Sequence, residues 1–367
     1  MTRSIHIIDP GAMEAGGHHF ALIETILASS FSGDLVFHTH KNLDRRSFES
    51  IVEAGYDVDT VFEQNFYEYY GQNAFDSASA VDVLSYVARL KNEYDKVLLQ
   101  IYSNSEKQVC FYPCLDWYHL LALRLAMPDI ETGHVVHRVC LMFDIGVAAD
   151  GSRDWDLLSH WLPQLRWAAD HASIELYAAD SRILSAWDLL ATNTSIKVMP
   201  SYLAYWPSVP KRQDVKGCNT VLAYTGDVKA DKGFKELPNV VRELLADQSI
   251  DQVIVQFTWN WDMPELESCK LELRRLAQDE SRFGLFEGPW THIEFAQTIA
   301  DSSAYYCTYD RAVYDGKSSG LPVWLGFYNV SLLGYRPKAL EDELYYIEQH
   351  PAYKEALYSD LIEWFQS

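Results

Sequence analysis

The residues with the most chemistry in them lie between Tyr309 and Val323, in the order Tyr-Asp-Arg-Ala-Val-Tyr-Asp-Gly-Lys-Ser-Ser-Gly-Leu-Pro-Val. The apolar, aromatic run Ala304 to Tyr309 before them reads as a buried parallel strand. Asp310 suits the cap of a short helix beginning at Arg311. The free amides of that first turn would face the crevice at the strand's carboxyl end, where open α/β sheets bind ligands and helix starts bind anions. Asp315 follows five residues after Asp310, about a turn and a half on. Gly320 and Pro322 then stop the helix and restart an extended segment. A carboxylate, an anion-binding helix start and a Gly-x-Pro stop together suit a nucleotide held by its ribose and phosphates. The other reading is a capped surface helix leaving a sheet. Gly316-Lys317-Ser318 is not a phosphate loop, because that motif needs a glycine five residues before Gly316, where Arg311 stands.

Positioning such residues takes a sheet, and the chain supplies strand patterns in series. Ser4 to Asp9 reads as a first buried strand. The glycine-rich loop Pro10 to Gly17 follows, then His18-His19-Phe20 and a helix to about Ala28. Gly16 and Gly17 let a ligand approach the backbone closely, and the two histidines after them favour a ligand-facing loop over a plain turn. The spacing is not Gly-x-Gly-x-x-Gly, which disfavours a nicotinamide or flavin site. Further strands are expected at Asp34 to His40, Lys96 to Ile101, His134 to Cys140, Ile174 to Ala178 and Ile196 to Met199. Helices are expected at Ser47 to Ala54, Ser77 to Glu93, Tyr112 to Ala126 and Trp155 to His171, with Asp180 or Ser181 capping another. His137 and Arg138 are polar groups on a buried strand that need partners or a cleft, and they point to opposite faces. Phe66 to Tyr70 is an aromatic loop, either a lid or acceptor platform or packed on its own domain. Asp57-Val58-Asp59 and Asp154-Trp155-Asp156 have Asp-x-Asp metal spacing, but neither follows a convincing strand and both read as solvated acid.

Ser201 to Gly217 is rich in proline, serine and basic residues and reads as a linker. The pattern then restarts, with strands at Thr220 to Thr225, Gln252 to Phe257, Phe283 to Phe286 and Ala304 to Tyr309. Helices alternate with them at Phe234 to Ala246, Pro264 to Gln278 and His292 to Ala300. Strand–helix alternation demands parallel sheets with right-handed crossovers. The expected class is α/β, with two Rossmann-like domains facing across a cleft. Residues 1–205 form the acceptor-side domain and 206–350 the donor domain, and residues 351–367 contribute a final helix that reaches back.

Size and composition narrow the function. The 367 residues suit two domains, and 48% hydrophobic content allows two cores. No apolar run is long enough to span a membrane, and the chain reaches its first strand without a signal peptide. The six cysteines are read as reduced, in a cytoplasmic setting. Cys110 and Cys114 lie four apart with no second ligand pair, so no metal site is read there. A net charge of −22 repels phosphate backbones and anionic lipid, which disfavours broad nucleic-acid or membrane adhesion. The 23 tyrosines and 11 tryptophans offer flat faces that suit sugar rings.

The second half opens with Tyr224-Thr-Gly-Asp-Val-Lys-Ala-Asp-Lys-Gly-Phe234. This resembles the Gly-Arg-Leu-x-x-x-Lys-Gly segment of retaining glycosyltransferases of the GT-B fold, family four. Phe286-Glu-Gly-Pro289 is similar to that family's late section, and Asp315 to Val323 to its Glu-Ala-x-x-x-Gly-x-Pro-Val element. Pro200-Ser201 resembles its crossing loop, and Gly16-Gly17 its first-domain glycines. The resemblance implies transfer of a sugar from a nucleotide-sugar donor to an unknown acceptor with retention, without a bound metal or other cofactor. It implies that Lys232 binds the donor diphosphate, with Lys229 and Arg311 as helpers, and that Asp315 binds the donor ribose. It places His137 toward the donor sugar and Gly16-Gly17 near the phosphate or acceptor, with Asp310 standing in for the family's first glutamate. Three features depart from the pattern: Asp227 stands where the family has its phosphate-binding arginine, Cys307 falls at that glutamate by count, and the family's glycine at the helix start is absent. The alternatives are a catalytically degenerate protein that binds a sugar or partner, and a transferase acting on modified DNA bases, against which the acidity argues.

Overall fold

A computed structural model describes residues 4–13, 17–29, 31, 33–69, 79–127, 133–147, 152–190, 195–201, 219–259, 263–314 and 319–367. Two compact units make up the chain. The first is Met1–Tyr202 together with Ser359–Ser367, and the second is Leu203–Tyr358.

The first unit holds a seven-stranded sheet in the order β3-β2-β1-β4-β5-β6-β7. Its strands are β1 (Ser4–Asp9), β2 (Leu35–His40), β3 (Asp57–Phe62), β4 (Gln108–Leu115), β5 (Val135–Leu141), β6 (Ile174–Ala178) and β7 (Lys197–Val198). Every pair is parallel. The central strands are nearly continuous apolar runs because helices cover both faces. The strand order reverses between β1 and β4, and the crevice beyond their carboxyl ends is where such sheets take ligands.

Two expectations change here. Lys96 to Ile101 is not a strand but the last part of a helix running Ala80–Tyr102. Val97, Leu98 and Ile101 continue the helical spacing of Leu90 and Tyr94, so one buried stripe serves the whole length. The strand is instead Gln-Val-Cys-Phe-Tyr-Pro-Cys-Leu, buried throughout, and the aromatic helix begins only at Trp117. Pro113 cannot donate to a ladder, and the β4–β5 register slips between Tyr112 and Leu115 around it. Asp57 to Asp59 lies within the edge strand β3, where Asp59 receives His38 Nδ1 at 3.3 Å. Asp154 caps the helix Trp155–Asp170 through Leu157 N–H at 3.0 Å. Asp180 caps Ser181–Leu189 through Ile183 N–H at 2.9 Å, as its position predicts.

The last residues fold in two helices, Pro351–Leu357 and Leu361–Gln366. The second belongs to the first unit. Arg138 donates to the Trp364 carbonyl, lies over the Trp364 ring at 4.7 Å and pairs with Glu175 at 3.0 Å. Phe111 meets both Trp364 and Phe365 edge-on.

The second unit holds a five-stranded sheet in the order β10-β9-β8-β11-β12. These are β8 (Thr220–Tyr224), β9 (Gln252–Phe257), β10 (Phe283–Glu287), β11 (Ala304–Cys307) and β12 (Ser331–Gly334), again parallel throughout. Its switch point lies between β8 and β11. Gly320 and Pro322 do not restart an extended segment. Leu321–Tyr328 is a helix with the proline in its first turn, where a missing N–H costs nothing and the fixed φ suits the helix. The α/β class and the pair of Rossmann-like sheets agree with the sequence reading. Among the described residues no helix is long and apolar enough to cross a membrane.

Candidate active site

In the second unit, the loop after β8 and the loop after β11 meet at the switch point. Gln256 organises one side of it. This side chain is 2% exposed and follows the apolar run Val253 to Val255 of strand β9. Its Oε1 accepts from Thr225 Oγ1 at 2.9 Å and from Gly226 N–H at 2.7 Å. Its Nε2 donates to the Gly288 carbonyl at 2.6 Å and to Thr258 Oγ1 at 3.2 Å. One buried amide thus ties together the carboxyl ends of three neighbouring strands. A glutamine inside Val-Ile-Val-Gln-Phe was the signal for this role, because a buried amide must find partners.

The other side is held by two bonds to backbone carbonyls. Thr308 Oγ1 donates to the Lys232 carbonyl at 2.6 Å, and Asp310 N–H donates to the Asp231 carbonyl at 2.8 Å. Gly226 and Gly233 adopt φ of +94° and +74°, conformations that side chains disfavour. The turn they frame carries the half-buried Lys232. Its Nζ lies 6.0 Å from the Tyr309 ring centre, and a Cβ placed on Gly226 would come within 3.2 Å of it. The ammonium therefore sits over the β8 turn and beside the first residues after β11. Tyr309 is fully enclosed. Burial pushes its hydroxyl well up, and bonds to Tyr305 and Ser319 hold it.

Asp310 caps the four-residue helix Arg311–Tyr314, its Oδ1 accepting from Ala312 N–H at 2.9 Å. Arg311 is exposed and donates to the Arg336 carbonyl at 3.2 Å. Lys229 is half-buried, and its backbone N–H donates to the Tyr224 hydroxyl at 3.3 Å. Cys307 is buried in β11. Asp315 and Gly16 lie outside the described residues, and Gly17 opens the helix Gly17–Ala28.

His137 requires correction. It is 0% exposed in β5, with Nε2 at 2.9 Å from the Tyr102 hydroxyl and Nδ1 at 3.0 Å from that of Tyr112. It pairs in register with Cys110 and Ile174 near the amino ends of their strands, away from the ligand end of the sheet. Burial lowers its pKa to about 3, so it is a neutral core histidine with both nitrogens occupied.

The first unit holds a cluster that the sequence reading did not assemble. Asp9 ends β1 and is 2% exposed. Its Oδ1 accepts from Gly11 N–H at 3.1 Å, and its Oδ2 lies 2.8 Å from His19 Nδ1. His19 Nε2 in turn lies 2.7 Å from the Tyr67 hydroxyl. A carboxylate only accepts, so Nδ1 carries the proton and Nε2 accepts from Tyr67. His18 lies beside His19, ring centres 4.0 Å apart, and its Nε2 is buried with no hydrogen-bond partner among the described residues. Burial, and then His19, hold its pKa well below the usual range. Phe66 is buried and stacks on His119 at 4.0 Å, so this part of the aromatic loop packs on its own unit. Asp116 caps the helix Trp117–Ala126, and burial pushes its carboxyl up to about 7. An aspartate closing Ile-His-Ile-Ile-Asp was the available signal, but the contact that gives it meaning spans a loop.

No family model matches the sequence, and a search of curated proteins finds no match. Solved structures do match the fold. An α,α-trehalose-phosphate synthase (UDP-forming) from Burkholderia xenovorans, in complex with glucose-6-phosphate, aligns at 10% identity and TM-score 0.53, over 99% of this chain and 96% of that one. A UDP-glucosyltransferase from Polygonum tinctorium capable of glucosylating indoxyl aligns at 12% identity and TM-score 0.53, over 94% and 83%. An E. coli structure described as trehalose-6-phosphate bound with UDP-2-fluoro glucose aligns at 11% identity and TM-score 0.52, over 100% and 97%. At these identities the likeness is one of fold: the tandem Rossmann-like architecture of GT-B glycosyltransferases.

Proposed function

We propose that the chain is a glycosyltransferase that moves a sugar from a nucleotide-sugar donor to an acceptor hydroxyl. Transfer develops positive charge on the sugar and negative charge on the departing diphosphate. Lys232 is the observation that carries the reading. Its ammonium is held at the switch point of the second sheet, by a turn that two positive-φ glycines and the Thr308 contact fix in place. A preorganised cation facing a leaving phosphate stabilises the transition state with little reorganisation. The part of Asp310 as stand-in for the family's first glutamate and the ribose role of Asp315 follow from the family resemblance, as does a reaction run without a metal. Similar folds bind such donors, one of them with UDP-2-fluoro glucose. Asp227 and buried Cys307, standing where the family has charged residues, favour a second reading: a sugar-binding protein without turnover.

The test is a thermal-shift panel of nucleotide sugars, UDP-glucose first, followed by calorimetry on any hit. A donor at a hundredfold its Kd stabilises the folded state by about 2.7 kcal/mol, a shift of a few degrees for units of this size. No shift with any nucleotide or nucleotide sugar overturns the proposal. Binding without release of sugar to water or any acceptor selects the second reading.

A further inference from the structure

We propose that Gln256 is a positioning residue for the donor's diphosphate: acting through Gly226, it seats the Lys232 ammonium that meets the phosphates. This rests on the transferase reading. It adds which part of the turn after β8 faces the diphosphate, namely the lysine side chain and not the turn's own amides.

Three observations converge, all within the second unit. First, the Gln256 amide has one orientation. Gly226 N–H can only donate and the Gly288 carbonyl can only accept, so Oε1 faces the first at 2.7 Å and Nε2 the second at 2.6 Å. Thr225 Oγ1 at 2.9 Å from Oε1 and Thr258 Oγ1 at 3.2 Å from Nε2 complete the two ends. A side chain lacking either a donor or an acceptor at this reach cannot make the set. Second, the ammonium rests where Gly226 has no side chain. A Cβ at 226 would lie 3.2 Å from Lys232 Nζ, and Gly226 holds φ at +94°. Its N–H is bonded to Gln256, and its carbonyl accepts from Thr258 N–H at 3.0 Å. The end of β9 thus holds Gly226 on both sides, and a shift of Gly226 moves the surface on which the ammonium sits. Third, the amides of the turn are taken inside the unit. Val228 N–H donates to the Thr258 carbonyl at 3.0 Å, and Lys229 N–H to the buried Tyr224 hydroxyl at 3.3 Å. With these donors and that of Gly226 engaged, this stretch is no nest of backbone N–H groups, and its positive charge comes from a side chain.

The consequence for the site is one of placement. A lysine is a point charge on a flexible four-carbon stem, and it is preorganised only as far as the surfaces beside it are fixed. Two such surfaces are Tyr309 and Gly226. Tyr309 is enclosed and held by its own hydroxyl bonds. Gly226 is half-buried in a turn, and the Gln256 amide is what ties its N–H to the strand beneath. Without that tie the ammonium loses a fixed wall and spreads over more rotamers, which weakens its grip on an anion. The loss falls on the diphosphate part of a nucleotide, because a nucleoside alone gives the ammonium no phosphate to attract.

The experiment is a double-mutant cycle on the full chain, read by calorimetry with UDP and with uridine, or with the diphosphate and nucleoside of whichever nucleotide sugar raises the melting temperature. Gln256→Asn keeps an amide that ends one methylene short, so it cannot reach Gly226 and Gly288 together. It should weaken UDP about tenfold and uridine by less than about twofold. In the Lys232→Ala background the same substitution should leave UDP affinity within about twofold, because the group it positions is gone. Equal weakening in both backgrounds, or of UDP and uridine alike, overturns the proposal and leaves Gln256 a stabilising residue only. Unchanged UDP affinity in Gln256→Asn with Lys232 present overturns it as well. If Gln256→Asn does not fold, Gly226→Ala takes its place in the cycle, pressing on the ammonium from the turn while the amide stays intact. The same coupling to Lys232 is expected, and additive effects overturn the proposal. If the parent binds no nucleotide or nucleotide sugar, the transferase reading falls and this proposal with it. If UDP binds and Lys232→Ala weakens it while the cycle is additive, the reading stands and only the role of Gln256 falls.

Discussion

Gly233 and Thr308 are in contact with no room for a side chain between them. The Cβ of an alanine at 233 would lie 2.0 Å from the Thr308 carbonyl oxygen, and Gly233 holds φ at +74°. The contact sets the distance between the loop after β8 and the loop after β11. Gly233→Ala combines backbone strain with a clash against backbone, which together cost about 3 kcal/mol. A urea unfolding midpoint should fall accordingly, with nucleotide affinity weakened at the same time. A variant as stable as the parent would show that the two loops do not need this approach.

Lys232→Ala should separate function from stability. The side chain is half-buried at a turn, and its loss should shift the melting temperature by no more than a degree or two. Sugar release should fall about a hundredfold, the usual effect of removing one preorganised contact to developing charge. Steady-state kinetics beside calorimetry checks both parts. Unchanged turnover would take Lys232 out of the mechanism.

Gln256→Leu should do the reverse. It strands the Gly288 carbonyl, the Gly226 N–H and the Thr225 hydroxyl, all bonded to the amide in the native chain. Each lost partner of a buried group costs about 1–3 kcal/mol, so the second unit should lose several kcal/mol or unfold. Denaturation followed by circular dichroism tests this. A loss below about 1 kcal/mol would mean that water replaces the amide.

The first unit should weaken in acid. His6 lies between His38 at 3.0 Å and Gln108 at 2.7 Å, and burial, then the neighbouring His38, lower its pKa from 6.5 to about 4. The unfolded chain binds this proton below about pH 6.5, and the folded chain only near 4. Stability is therefore full above 6.5 and is lost as pH falls through that window, by up to ~3 kcal/mol for this group. Asp116 has the opposite sign. Its carboxyl is raised from 3.8 to about 7, so its share is full below 3.8 and is lost as pH rises toward 7. Urea midpoints between pH 4 and 8 should fall less steeply on the acid side in His6→Gln, and Asp116→Asn should gain stability at pH 8. A His6→Gln profile parallel to the parent's would place the acid sensitivity elsewhere.

The sequence by itself determined what depends on neighbours along the chain. Alternating apolar runs and amphipathic stretches fixed two series of strands and helices, with β6 and β9 at their observed bounds. Short-range capping made Asp180 and Asp310 legible, because a carboxylate two or three residues before free amides needs no other information. Only the tertiary structure decided the rest. Lys96 to Ile101 has strand composition, yet its stripe completes a helix whose partner strand comes later in the chain. His137 and Asp9 are both polar residues on buried strands, and nothing local separates them. Two tyrosines satisfy one within the core, while the other ends at a switch point and meets a histidine ten residues on and, through it, a tyrosine from another loop. Periodicity records which face of an element is buried. Which end of the sheet a side chain reaches, and what meets it there, is set by crossover connections that bring distant residues together.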